Sequence, residues 1–186
     1  MMEIQRLRDE ELVSIIRDQD QELYTEIVNR YEQKLRRYAL VFVHDNDKAD
    51  DVLQSTFIKA FINLKGFNTK KKFSSWIYRI LHNEAINYIK KHKRELSLDD
   101  STEVLRITSD IDHNQEIEKE EIKTFLNEHM DRLSIKYREP LALFYLEDYS
   151  YGEISEILKM PVGTVGTRVS RGRGLLKKSI TKNHGQ

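Results

Sequence analysis

The 186-residue sequence has no cysteine, only two prolines and seven glycines. Without cysteine it has neither a disulfide framework nor a thiolate metal site, and a reducing compartment is its natural setting. So few turn-forming residues argue against a β-sandwich, which needs many tight connections. The opening MMEIQRLRDEELV lacks the apolar core of a signal peptide. No run of roughly 18 apolar residues is available to cross a bilayer, so a cytoplasmic protein without membrane insertion is expected. The six histidines show no HExxH or other ligand spacing and the carboxylates form no evident catalytic pair. Neither a metal, a cofactor nor an enzymatic activity is therefore expected.

What is present suits amphipathic helices: 39% hydrophobic and 33% charged residues. The fold class expected is all-α. Formal net charge is zero, but the charges are segregated. Residues 65–96 carry nine basic groups against Glu84 and Glu95, and residues 159–186 carry seven basic groups and no acidic one. Residues 97–131 reverse this, with eleven acidic and three basic groups. That pattern implies two cationic surfaces for a polyanion, separated by a stretch that avoids it, although solvated helix faces would also account for such charge.

Apolar residues recur at helical spacing from Leu23 through Tyr31 and Tyr38 to Val43, predicting a long helix that ends near His44, with a shorter one before it over 9–17. Asp45, Asn46 and Asp47 supply turn and N-cap chemistry for a helix that buries Val52, Leu53, Phe57, Ala60, Phe61 and Leu64 before Gly66 stops it. Residues 67–72 read as a lysine-rich loop, and a further helix runs from Phe73 or Ser74 into the basic run at 90–94. These elements make a first domain over 1–95. Residues 96–114 read as a flexible acidic linker, and a second domain over 115–186 carries helices over 115–132, 135–147, 150–158 and 162–180.

The last 27 residues contain MPVGTVGTRVSRGRGLLKK, glycine-rich and basic enough for a phosphate loop or a DNA-reading helix. Neither the Walker spacing nor the dinucleotide G-x-G-x-x-G is present, and no buried strand precedes it. Ser150 and Glu153 form a capping box that starts a short helix, and Met160-Pro161 ends it in a tight turn. In the helix that follows, Val162, Val165, Val169, Gly172 and Leu176 share an inward face. Thr167, Ser170, Arg171 and Gly174 face out, with Arg168 and Arg173 beside them. The arrangement is a helix-turn-helix whose second helix suits the major groove.

The residues that build it, Leu133-Ser134 with Tyr137-Arg138-Glu139, then 149–158, then Pro161 to Val165 with Arg168, resemble the C-terminal domain of the extracytoplasmic-function (ECF) sigma factors of the sigma-70 family. Asp47 to Gln54 with Phe57 to Ala60, and Phe73 to Ile80 with Asn83, resemble the family's N-terminal domain independently. The resemblance implies a promoter-specific initiation subunit of RNA polymerase. Asp47, Asp50, Asp51, Gln54, Phe57 and Lys59 would then dock on a coiled coil of the polymerase's largest subunit. Lys70, Lys71, Lys72, Phe73, Trp76, Arg79 and Asn83 would engage and help melt the −10 element, and Thr164, Thr167, Arg168, Ser170, Arg171, Arg173 and Lys177 would read the −35 element. An anti-sigma protein and an inducing stress are implied as regulators.

Each of these residues also has a plainer role. The three aspartates favour the positive end of a helix dipole, and Phe73 and Trp76, at helical spacing, suit a core. The sequence departs from the family pattern at Asn87 and Lys90, where an aspartate and an arginine are common, and at Gly166 and Phe144, where basic residues are common. A rival reading is an ordinary helix-turn-helix regulator whose first 95 residues sense a signal or dimerise. Run-off transcription with purified core polymerase separates the two.

Overall fold

The computed structural model describes residues 4–96, Leu126 and residues 133–183. Among them there are helices and turns and no strand. The chain divides into two compact units, Met1–His92 and Lys93–Gln186. The acidic linker expected over 96–114 and the helix expected over 115–132 lie outside the described residues, apart from Leu96 and from Leu126, which is helical and buried.

The first unit contains α1 (Asp9–Asp18), α2 (Tyr24–Val43), α3 (Asn46–Asn63) and α4 (Phe73–Leu96), with short 3-10 turns at Ile4–Arg6, Gln21–Leu23 and Leu64–Gly66. Its core takes Leu12 and Ile16 from α1, Ile27, Leu35 and Tyr38 from α2, Val52 and Ala60 from α3, and Phe73, Ile77 and Leu81 from α4. Helix α2 stops at His44, which adopts a left-handed conformation at φ 50° and so turns the chain directly into α3. There the Asp45 side chain accepts the Lys48 amide at 3.0 Å, the cap expected at this turn.

Three side chains, Asp9, Arg30 and Tyr31, tie α1 and the chain before it to α2. Arg30 donates to Asp9 at 2.8 Å, to Glu26 at 3.0 Å, and to the carbonyls of Leu7 and Ile4 at 2.8 and 2.7 Å. The Tyr31 hydroxyl donates to the other oxygen of Asp9 at 2.5 Å. A half-buried guanidinium with four acceptors is a charge whose removal leaves several groups unpaired. Arg30→Ala is expected to cost about 2–4 kcal/mol of stability, read as a lowered urea midpoint of the Trp76 fluorescence transition.

The second unit is built from α5 (Ile135–Tyr145), α6 (Tyr151–Leu158) and α7 (Val162–Asn183). The capping box forms as expected: Ser150 Oγ accepts the Glu153 amide at 3.3 Å and Glu153 Oε2 accepts the Ser150 amide at 2.9 Å. Ser150→Ala is expected to lower stability by about 1 kcal/mol, measurable as a shifted thermal midpoint. Helix α6 ends at Leu158, as expected, just before Met160-Pro161. Lys159 takes a left-handed conformation at φ 54°, and the amides of Lys159 and Met160 both reach the Ser155 carbonyl.

Helix α7 packs on α5 and α6 through Val165, Val169, Gly172 and Leu176, as its periodicity predicts. Val162 is the exception: it is 50% exposed, because as the first residue of the helix it lies before the point where α5 and α6 cover that face. Gly172 explains how closely α7 approaches α5. A Cβ there would stand 2.6 Å from Leu141 Cδ1, 3.1 Å from Leu141 Cγ and 3.3 Å from Tyr137 Cβ. At Gly163, by contrast, nothing lies within 4 Å of a Cβ built on it, so no close approach at the turn requires that glycine.

Candidate nucleic-acid and partner interfaces

On α3 the residues expected to meet a partner divide by face. Asp47, Asp51 and Gln54 are exposed and fall on one stripe, at steps of four and three. Asp50 is turned toward α2, where Arg36 grips it through two parallel bonds of 2.6 and 3.1 Å. That hydrogen-bonded guanidinium holds the Asp50 carboxyl below its ordinary value of 3.8. Because the pKa is depressed by folding, the pairing is present above the ordinary value and is lost as pH falls through the lowered one. Arg36→Ala is expected to return the Asp50 titration midpoint, followed by side-chain carboxyl NMR, to the ordinary value.

Lys59 lies on a different face and pairs with Glu84 of α4 at 2.5 Å, so it bridges two helices. Phe57 is half-buried, and its carbonyl accepts from the Tyr24 hydroxyl at 2.8 Å. Phe61, expected in the core, is 41% exposed, its ring T-shaped to that of Tyr24 at 4.9 Å. Together with Ile58 at 53% and Ile62 at 69% it continues the stripe of Asp47, Asp51 and Gln54 as an apolar surface. Sequence reasoning missed this patch. The signal was the stripe itself, which carries three apolar positions in succession, Ile58, Phe61 and Ile62, once it is drawn past Gln54.

The lysine loop precedes α4. Asn68 shapes it: its side chain accepts the Lys70 amide at 3.0 Å and its carbonyl accepts the Lys71 amide at 2.9 Å, an Asx-type turn. Lys70, Lys71 and Lys72 are exposed. Lys72, Trp76, Arg79 and Asn83 then share one stripe of α4, which Asn87 and Lys90 prolong. Phe73 does not belong to that surface. It is fully buried, edge-on to Tyr31 and Phe67 at 5.6 and 5.5 Å, so the direct DNA contact expected of it is corrected to a packing role. Trp76 is half-buried, tilted on Phe67 and Phe73 at 5.0 and 5.4 Å, with part of its ring open to solvent.

On α7 the outward face carries Thr167, Ser170 and Arg171, all exposed. Thr167 Oγ1 donates to the Gly163 carbonyl at 2.9 Å, which leaves its lone pairs for an incoming donor. Thr164 and Arg168, both half-buried, border this face on one side, and Gly166 and exposed Arg173 border it on the other. Lys177, half-buried, follows one turn further on. Among the described residues neither Arg168 nor Arg171 forms an ion pair.

Tyr151 fills the flank that Gly166 leaves open, its ring 3.4 Å from where a Cβ on Gly166 would stand and 5.0 Å from the ring of Phe144. Burial lifts the Tyr151 hydroxyl above its ordinary value, and the charge of Arg173 acts in the opposite direction. Two of the four departures from the family pattern, Gly166 and Phe144, therefore meet on one aromatic side chain.

Among the described residues no cluster of His, Asp and Glu could hold a metal, and no helix is long and apolar enough to cross a membrane. Among the described residues the geometry offers charged, shaped surfaces.

Known proteins carry the same pair of units in the same order. The family model of sigma-70 region 2 matches residues 27–95, and that of sigma-70 region 4 matches residues 126–176. The ECF RNA polymerase sigma factor SigW of Bacillus subtilis is 34% identical over 87% of this chain and 90% of its own length. The ECF RNA polymerase sigma-E factor of Haemophilus influenzae is 29% identical over 95% and 97%. Among solved structures, the sigma factor RpoE in complex with the anti-sigma factor NepR from Bartonella quintana superposes with a TM-score of 0.66 at 25% identity, covering 85% of this chain and 96% of that one. CnrH in complex with the cytosolic domain of CnrY, at 22% identity and a TM-score of 0.68 over 94% and 97%, supports the fold.

The chain belongs to the sigma-70 family, as an ECF sigma factor. It is an alternative sigma factor, a partner of RNA polymerase core that directs promoter-specific transcription initiation. The match over residues 27–95 removes the ground for reading the first unit as a sensing or dimerisation module.

Proposed function

We propose that the two units divide promoter recognition between them, α7 reading the −35 element as duplex and the lysine loop with α4 holding the −10 element as a melted strand. The observation that carries this reading is the outward face of α7. Two arginines without an ion pair among the described residues stand beside the hydroxyls of Thr167 and Ser170, on a helix whose opposite face is packed. Arginine reads guanine bidentately, and a hydroxyl serves either donors or acceptors on base edges. Arg171→Ala and Arg173→Ala are each expected to reduce discrimination between the −35 element and random duplex by about 1–3 kcal/mol in a binding titration. Unchanged discrimination removes the residue from the reading set.

Gly166 supplies no cation at its own position, which leaves Arg173 as the charge beside Tyr151 on that flank and supports a −35 contact with one phosphate neutralisation fewer. Gly166→Arg is expected to steepen the salt dependence of duplex binding by about one unit of slope, since each neutralised phosphate contributes roughly 0.9.

The exposed α3 stripe supports docking on the polymerase. Asp47, Asp51 and Gln54 offer a polar half and Ile58, Phe61 and Ile62 an apolar half, and exposed apolar patches of this kind mark interaction surfaces. Asp50 and Lys59, held by Arg36 and Glu84, set the spacing of α3 against its neighbours and meet the partner secondarily. The complex of the sigma factor RpoE with the anti-sigma factor NepR supports an anti-sigma protein as regulator here too. The work is binding and melting in the cytoplasm, with no covalent step and no cofactor.

A further inference from the structure

We propose that Glu10, in the first turn of α1, is a positioning residue for promoter opening, holding the start of α4 and with it the direction of the lysine loop. This rests on the reading of that loop as the −10 contact. It concerns a helix, Asp9–Asp18, that lies before the matched region-2 segment at 27–95.

The first amide of α4 needs an acceptor from elsewhere. First-turn amides have no partner within their own helix, and Lys72, the residue before α4, has no side-chain acceptor to supply. Glu10 Oε1 supplies it across 63 residues of sequence, accepting the Phe73 amide at 2.8 Å. The adjacent carboxylate, Asp9, reaches the same residue by a second route. It accepts from the Tyr31 hydroxyl, and the Tyr31 ring lies edge-on to the buried Phe73 ring at 5.6 Å. Asp9 is itself fixed by Arg30 at 2.8 Å. One pair of neighbouring acids thus fixes both the amide and the ring of Phe73.

Lys72 and Lys71 directly precede that anchored residue, and on their other side Asn68 closes the turn. The loop is held at both ends, and Glu10 is the hydrogen-bonding end next to the helix. A flexible lysine loses conformational entropy on meeting a phosphate, and an anchored backbone reduces how much more the loop must lose. Anchoring at Phe73 also sets where the exposed part of Trp76, one turn on, sits relative to the lysines.

The test uses full-length protein with core polymerase and a promoter duplex, comparing Glu10→Ala, Glu10→Gln and Glu10→Asp. Opening is read by permanganate reactivity of −10 thymines, core affinity by a separate titration, and strand capture by affinity for single-stranded −10 DNA. Glu10→Ala is expected to lower opening and strand capture about tenfold with core affinity unchanged, from the loss of one charge-assisted hydrogen bond. Glu10→Gln keeps an acceptor oxygen at the same reach and is expected to stay within about threefold of the parent. Glu10→Asp, one methylene shorter, is expected to behave as Glu10→Ala does and serves in its place should that variant not fold.

Opening that is unchanged in both Glu10→Ala and Glu10→Asp overturns the proposal. So does a loss that core affinity shares in equal measure, which would make Glu10 a general stabiliser. Replacing Lys70, Lys71 and Lys72 with alanine in parallel separates the two levels. If that variant opens promoters normally, the −10 reading itself fails; if it is defective while Glu10→Ala is not, only the positioning role fails.

Discussion

Gly172→Leu is expected to remove −35 recognition by prising α7 from α5. The space is already taken: a single Cβ would meet Leu141 Cδ1 at 2.6 Å, and Leu141 is fully buried. Overpacking a core of this kind costs about 1–3 kcal/mol for small additions, and leucine adds four carbons, so a loss of about 3 kcal/mol or more is expected. Gly172→Ala is milder, because alanine gains about 1 kcal/mol over glycine in a helix interior and offsets part of the clash. The sole tryptophan makes the measurement specific. Trp76 belongs to the first unit, so its fluorescence transition should stay in place while the far-UV circular dichroism transition shifts or splits. A shift of both together would mean that the units do not unfold independently.

The second large effect belongs to the lysine loop. With Lys70, Lys71 and Lys72 all replaced by alanine, the slope of log affinity against log salt for single-stranded −10 DNA is expected to fall by about 2. Each phosphate neutralised on a single strand contributes roughly 0.7. Near physiological salt that corresponds to an affinity loss of some tens-fold, enough to abolish detectable opening. Duplex −35 binding and core affinity should change little, because the three side chains are exposed and none fills the core. An unchanged salt slope would assign the loop to solvent.

What could be read in the sequence follows from what is local. The capping box at Ser150 and Glu153 forms because its two partners are three residues apart, and the inward stripe of Val165, Val169, Gly172 and Leu176 follows from helical period alone. The outward face of α7 is the complement of that stripe and was legible for the same reason. Periodicity fails where a face runs beyond its neighbours. Val162 and Phe61 have the right spacing for burial, yet each stands near a helix end where the opposing elements no longer cover it. Phe73 failed in the opposite direction, since its place beside the lysines suggested a surface ring while Tyr31 and Phe67 enclose it.

The tertiary pairs were beyond reach. Arg36 with Asp50, Lys59 with Glu84 and Glu10 with the Phe73 amide are separated by 14, 25 and 63 residues, and no repeat or motif relates their members. They matter to the site all the same. The first two turn Asp50 and Lys59 into struts between helices, which leaves the stripe from Asp47 to Ile62 as the docking surface proposed here.

Run-off transcription with purified core polymerase tests the central claim most directly. Promoter-specific transcripts that require this protein, that fall with Arg171→Ala at the −35 element and that vanish with the triple lysine variant, are the expected result. Specific binding to the same promoter with no transcript above that of core polymerase alone would contradict it.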